Sequence, residues 1–524
     1  MLRGILTVGG WTMASRLLGF ARDMLIAAVL GAGPVADAFF VALRLPNLFR
    51  RLFGEGAFNA AFVPEFAGLH AAEGPAAARR FADNAFAVMT VWLGALTLAG
   101  EVGMPWLMAG LAPGFEATPA KFALAVALSR ITFPYLILIC LAALVSGMLN
   151  GLDRFTAASA SYVLFNIVMI GSLLWLTPYV PTAGHALAWG VTAAGVAQLG
   201  VLMWAAWRAG IGLRPAWPRL TPQMRELLRR VGPGVFGAGV TQLNLAVDVI
   251  IASLLPAGTV SVLYYADRVQ QLPLGVIGTA VGTALLPLLS RQVRAGEAPA
   301  AIGTLNRALE YALFLTLPAT LALMVSAWPI VAVLFGRGAF GAASVTLSAQ
   351  ALAAYALGLP AFVAVKVMAP GFFARGDTAT PVKIGFAAVA LNLALNLAFM
   401  VPLRHVGPPL ATSLAACFNL ACLAAVLRRR GYLALDARLR RRAPRMLAAA
   451  VVMALALALV QHVLFTLAAP AGGLRAVALA ALIVVGMAAY FAAGHGLGAF
   501  DLRDALQPLT RGNRVNRGKV GAPP

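Results

Sequence analysis

Apolar residues in this chain come in long unbroken runs, not in the strict alternations or one-sided stripes of a soluble fold. With Pro, Gly and charge read as punctuation, they mark about fourteen segments near the ~20 residues a helix needs to cross a bilayer. These segments are 5–31, 35–53, 81–106, 122–149, 157–178, 183–207, 228–255, 260–289, 306–331, 345–373, 380–402, 407–427, 445–468 and 474–498. The runs are apolar all round. That predicts spanning helices and excludes a transmembrane barrel, whose strands alternate polar and apolar positions. The expected fold is therefore all-α and polytopic. The first two segments stand apart because they carry charge, and Pro46 should kink the second. A cleavable signal is not expected, because the first segment is too long and too charged.

Composition agrees with this reading. The chain is 61% hydrophobic and 11% charged with a mean hydropathy of +0.86, whereas a soluble domain carries about 25% charged residues. The formal charge of +22 would suggest nucleic acid in a soluble protein. Here the basic residues fall mainly between spans, which points to membrane topology and anionic head groups instead. Assigned to alternate sides of the fourteen segments, thirty Lys and Arg residues lie on the side of the termini and four (Lys121, Arg337, Arg404, Arg475) on the other. That asymmetry predicts cytoplasmic termini. Cys140, Cys417 and Cys422 show neither metal spacing nor a disulfide framework and read as small buried apolar residues.

The chain also repeats itself. Asp23 and Asp248, Gly33 and Gly258, Phe39-Phe40 and Tyr264-Tyr265, and Phe115 and Phe340 all stand 225 apart. Pro134 and Pro360, and Asn166 and Asn392, stand 226 apart. Spans 1–6 and 7–12 thus read as two copies of a six-helix unit. An even-numbered unit returns to its starting side, so the copies are parallel-related, as in transporters whose halves enclose a central cavity. The expected organisation is an N-lobe at 1–215, a C-lobe at 216–430, a C-terminal helix pair with its basic linker at 431–500, and a tail at 501–524.

Charges inside the spans are the candidate chemistry. A charge at bilayer depth costs about 2.5–3.5 kcal/mol on insertion scales. The first hairpin nevertheless holds Arg16, Arg22, Asp23, Asp37, Arg44, Arg50 and Arg51. Arg16, Gly19 and Asp23 share a helix face, and Arg22 joins them only if the helix bends. Snorkelling explains Arg50, Arg51 and Arg44 equally well, and ion pairing with Asp23 or Asp37 is the structural alternative for Arg16 and Arg22. Five arginines against two aspartates leave a cationic surplus, which suggests an anionic passenger. The second half contributes Asp248 and the adjacent Asp267-Arg268. Asp248 reads as a cation or proton site or as a salt-bridge partner. Glu101 with Arg130 reads as a pair near a span end, and Lys366 either lines the cavity or pairs with Asp377.

No phosphate loop, nucleophile elbow, metal-ligand spacing or paired catalytic carboxylates appear, and the five histidines are scattered. No catalytic residue, firm metal site or cofactor is expected beyond candidate Na+ coupling, and the chain reads as a transporter, not an enzyme. Without an ATP site, transport would be facilitated or driven by an ion gradient or the membrane potential.

The runs SRLLGFARDMLIAAVLGAG and DAFFVALRLPNLFRRLFGEGAFNAAFVP, with YYADRVQQLPLGVIGTAVGTALLPLLS and KVMAPGFFARGDTATPVKI, closely resemble the MurJ/MviN lipid II flippase family. The resemblance implies the multidrug/oligosaccharidyl-lipid/polysaccharide exporter fold, with two six-helix lobes around a cavity and two C-terminal helices forming a lipid-tail groove. It implies transfer of undecaprenyl-diphosphate-linked disaccharide-pentapeptide from the cytoplasmic to the periplasmic leaflet of the bacterial inner membrane, for peptidoglycan synthesis and cell shape. The partners implied are lipid II, membrane lipids and the cell-wall synthesis machinery. The family's cavity arginines match Arg16, Arg22, Arg50 and Arg268, with Arg51 beside them, and its acidic residue matches Asp37. Asp23, Arg44, Asp267 and Gln271 are candidate supports, Gln271 standing where a relative has glutamate. Asp248 and Asp377 resemble part of a sodium site, though Phe373 replaces an amide there. A flippase of another lipid-linked glycan, a drug exporter and a membrane glycosyltransferase are the alternatives; the cationic spans argue against a cation-drug exporter.

Overall fold

The computed structural model describes residues 2–50, 57–467 and 472–500. Among these every regular element is helical. The first half comprises α1 (Leu2–Leu30), α2 (Pro34–Phe49), α3 (Ala57–Glu73), α4 (Pro75–Val102), α5 (Met104–Leu111), α6 (Pro119–Thr132), α7 (Tyr135–Gly151), α8 (Phe155–Gly171) and α9 (Ala183–Arg208). The second comprises α10 (Pro222–Ser253), α11 (Thr259–Arg294), α12 (Ala298–Val325), α13 (Ala327–Phe335), α14 (Ala342–Leu357), α15 (Leu359–Phe373), α16 (Ala379–Phe399) and α17 (Gly407–Arg429). The chain continues in α18 (Ala437–Gln461) and α19 (Leu474–Gly496).

Ten helices or helix pairs among the described residues are long and apolar enough to cross a membrane. The other four expected spans are α1, α2, α10 and α11, the first two being the charged hairpin. α2 runs as helix on both sides of Pro46. The repeat has a structural counterpart. The fourth span is broken into α6 and α7 at Phe133-Pro134, and the tenth into α14 and α15 at Gly358, just before Pro360. Each break follows from a proline, which lacks the N–H the preceding turn requires.

Three features depart from the sequence reading. The stretch between the second and third spans holds α3, which the hydropathy reading does not mark as a segment. Its Phe58, Phe62 and Phe66 recur every fourth residue and stack at 5.3 and 5.8 Å, with Phe81 of α4 on Phe62 at 5.6 Å. Lys121, assigned to an outer loop, is buried in the first turn of α6. Of the cysteines Cys140 is buried, but Cys417 is exposed on α17. Arg51 and the tail at 501–524 lie outside the described residues.

The helices cluster into two compact units: Met1–Tyr265 with Phe335–Ser344 and Asn396–Pro408, and Ala266–Leu334 with Val345–Leu395 and Pro409–Pro524. In the first, α1 packs along α8, α2 along α6, and α9 against both α7 and α8. The end of α1 docks on the 337–341 turn, where the Ala339 amide donates to the Ala28 carbonyl at 2.8 Å. Gly31 and Gly338 make this approach at φ +66° and +59°. A Cβ on either would fall 2.5 Å from the Ala339 carbonyl or 2.2 Å from that of Ala28. In the second unit α12 packs on α15 and α18, and α18 on α19. Beside these last contacts lies a half-open apolar cavity of about 310 Å³ walled by Leu315, Pro318, Leu457, Leu482, Met487 and Phe491.

Candidate functional site

α1 is a span-length helix, and it presents Arg22 to α8. Arg22 is only 9% exposed. Its Nε and Nη2 donate to Asp23 Oδ1 at 3.1 and 2.8 Å, and its Nη1 donates to Asn166 Oδ1 at 2.9 Å. The same Asp23 oxygen accepts from the Tyr264 hydroxyl at 3.3 Å. The bend that would bring Arg22 and Arg16 to one space is not needed for this pairing. Of the two alternatives for Arg22, the structure thus supplies the ion pair with Asp23, in a geometry that also leaves the guanidinium oriented. Arg16, two turns earlier, is exposed on α1. On α2, Arg44 and Arg50 are half-buried.

Asp37 occupies a different setting from the one expected of a substrate ligand. It is 1% exposed and its two oxygens are filled by the chain's own donors. Lys121 Nζ (2.8 Å) and the Gly258 amide (2.7 Å) donate to Oδ2. The Ser261 amide (2.9 Å) and hydroxyl (2.7 Å) donate to Oδ1. Gly258, at φ +93°, turns its N–H toward the carboxylate. Lys121 Nζ also sits 3.9 Å from the centroid of the Phe115 ring. Asp37 therefore ties the starts of α2, α6 and α11 together within the first unit. Lys121, Gly258 and Ser261 were not singled out as its partners from sequence, because each lies far from it along the chain.

In the second unit, α11 carries Asp267 and Arg268, both half-buried, and Gln271, exposed. Gln271 Nε2 donates to Asp267 Oδ1 and Oδ2 at 3.3 and 3.0 Å. A glutamate there could not donate and would repel Asp267 one helical turn away.

Asp248 is half-buried on α10 of the first unit. Asp377 lies before α16 in the second, where its Oδ1 accepts from the Thr380 amide at 2.9 Å and its Oδ2 from Arg430 Nη1 at 2.6 Å. Hydrogen bonds from Thr380 and then Arg430 hold its carboxyl well below the usual carboxylate range. Its contribution to stability is thus complete above about pH 5 and fades as pH falls below that. Asp377 pairs with Arg430, where Lys366 was the expected alternative. Among the described residues no group of three or more His, Cys, Asp or Glu is placed to hold a metal ion. Arg130 reaches Glu101 through its backbone carbonyl, at 3.3 Å.

Span-length helices with charged side chains folded into their packing, repeated across two halves, define a polytopic membrane transporter. The family model described as lipid II flippase MurJ matches residues 26–470, and the chain belongs to that family. A probable lipid II flippase MurJ of Rhizobium meliloti is 45% identical, covering 100% of this chain and 99% of the relative. One from Rhizobium tropici is 42% identical over 98% and 97%. The lipid II flippase MurJ of Burkholderia cenocepacia is 37% identical over 82% and 84%. Among solved structures, a lipid II flippase MurJ in an inward closed conformation superposes with a TM-score of 0.77 at 23% identity, covering 96% of this chain and 99% of that one. An inward-facing multidrug resistance MATE transporter of the MOP superfamily gives 0.64 at 14% identity, over 82% and 98%. These structures share the fold. The family is one of flippases, which are transporters and not enzymes.

Proposed function

We propose that this chain carries lipid II from the cytoplasmic to the periplasmic leaflet of the bacterial inner membrane by alternating access, with both termini cytoplasmic. The observation that carries the site assignment is Arg22, a residue nine-tenths buried on α1 whose guanidinium bonds to a carboxylate oxygen of Asp23 and to the neutral amide of Asn166. Arginine binds phosphate through paired, charge-assisted bonds. A diphosphate can therefore take the place of Asp23 at the Arg22 fork, and Asp23 holds the cation while the site is empty. Arg16, Arg50, Arg51 and Arg268 are the further substrate cations on this reading. Arg44, Asp267 and Gln271 support them, and Asp37 acts from behind as a positioning group. The N-lobe is 1–215 and the C-lobe 216–430. The helix pair at 431–500 supplies an apolar wall for the undecaprenyl tail, for which the cavity beside α12, α18 and α19 offers support.

The empty carrier is reset by sodium, with Asp248 as the candidate ligand, or by the membrane potential, which is worth about 2.3 kcal/mol per charge per 100 mV. Conditional depletion tests the reading directly. Lipid II should accumulate in the inner leaflet while its synthesis continues; accumulation in the outer leaflet would point to a polymerase instead. Arg16→Ala and Arg268→Ala should each abolish complementation with normal membrane insertion, and full growth of both would sink the site assignment.

A further inference from the structure

We propose that Asn166 is a positioning residue for Arg22, fixing the guanidinium in the orientation that receives the diphosphate. The inference rests on the assignment of Arg22 made above. Asn166 lies on α8 and is 4% exposed. Its Oδ1 accepts from Arg22 Nη1 at 2.9 Å. Its Nδ2 donates to the carbonyls of Ser15 and Tyr162, both at 3.1 Å, with the Ser15 hydroxyl at 3.4 Å. Arginine only donates and a carbonyl only accepts, so a single orientation of the carboxamide satisfies all these groups. A flip would set an NH₂ against Arg22 and an oxygen against two carbonyls. The amide is thereby locked.

The rest of the surroundings complete the clamp. A Cβ on Gly19 would lie 3.5 Å from Asn166 Oδ1, so α1 passes close to the amide at this turn. The Phe165 ring next to Asn166 has its centroid 5.6 Å from Arg22 Cζ. Asp23 takes Nε and Nη2 of the guanidinium while Asn166 takes Nη1. Two of these three bonds go to a carboxylate that a diphosphate can replace. The third goes to a neutral acceptor that stays. An amide orients the cation without adding a second negative charge to compete with the ligand. Orientation fixed before binding is freedom that need not be lost on binding. At the corresponding place in the second half, Asn392 donates to the Thr412 hydroxyl at 3.1 Å.

The test is a binding cycle with an undecaprenyl diphosphate probe and the full chain in nanodiscs. Arg22→Ala should weaken binding by at least about tenfold, the scale of a lost charge-assisted bond. Asn166→Ala should weaken it by about fivefold, and the double variant should bind as Arg22→Ala does, because Asn166 acts only through Arg22. Asn166→Asp should bind more weakly than Asn166→Ala, since the added carboxylate competes with the probe. Wild-type affinity in Asn166→Ala, or losses that multiply in the double variant, would overturn the proposal and leave Asn166 a tie between α1 and α8. Unchanged affinity in Arg22→Ala would instead remove the diphosphate reading itself, and the positioning role with it. Should Asn166→Ala fail to fold, Asn166→Ser retains a hydroxyl acceptor and runs through the same cycle.

Discussion

Asp37→Ala is expected to destabilise the folded chain by about 3–5 kcal/mol, the usual result of stripping one partner from a buried ion pair. Lys121→Ala should cost less, about 1.5–3 kcal/mol, the scale of a hydrogen bond to a charged group. The asymmetry comes from what each substitution leaves behind. Without Lys121, the Asp37 carboxylate keeps the Gly258 amide and both donors of Ser261. Without Asp37, those donors and a lysine that is 8% exposed lose their shared acceptor, and the ammonium retains the Phe115 ring. A double variant, Asp37→Ala with Lys121→Met, should recover part of the loss by removing the buried charge. Thermal unfolding of the detergent-solubilised protein reads all three. Equal losses from the two single variants would show that the ion pair alone, and not the four-donor cradle, holds the starts of α2, α6 and α11.

That cradle also marks where sequence reading stops. The spanning helices are legible because a run of apolar residues leaves the backbone no partner in lipid except itself. The breaks at Pro134 and Pro360 are legible for a similarly local reason. α3 was within reach, since Phe58, Phe62 and Phe66 are spaced for one helix face, but a hydropathy scan passes over a segment too short to span. The partners of Asp37 carry no such signal. Lys121 is 84 residues away and Ser261 224, and neither Lys nor Ser in a loop-like stretch announces burial. Asn166 was visible only as half of a repeated pair with Asn392. Its bond to Arg22 depends on how α8 lies against α1, which no periodicity encodes. Charge counting missed the burial of Lys121 for the same reason: it assigns residues to a side of the membrane, while packing draws this one inside the first turn of α6.

Glu310→Ala is expected to loosen the seat of α18 on α12, at a cost of about 2–3 kcal/mol. Glu310, 5% exposed on α12, is the acceptor for three guanidiniums. Arg442 Nη1 donates at 2.7 Å and Arg438 Nε at 3.2 Å, and Arg307 completes the set. Arg307 also pairs with Asp436, the residue that caps α18 by accepting from the Leu439 amide at 2.7 Å. Removing the glutamate takes away the acceptor that these three guanidiniums share, while Asp436 keeps its pairing with Arg307. The loss falls below the ~3–5 kcal/mol of a fully buried pair because Arg307 and Arg438 reach water and are partly screened. Two further measurements separate charge from packing. Arg442→Leu added to Glu310→Ala should restore part of the stability by lowering the repulsion. Raised salt should narrow the gap between Glu310→Ala and the unaltered chain. A Glu310→Ala defect that ignores salt and is not relieved by Arg442→Leu would mean that the side chain's packing, not its charge, seats the C-terminal helix pair. In that case the basic linker has no electrostatic hold on α12, and its arginines serve topology alone.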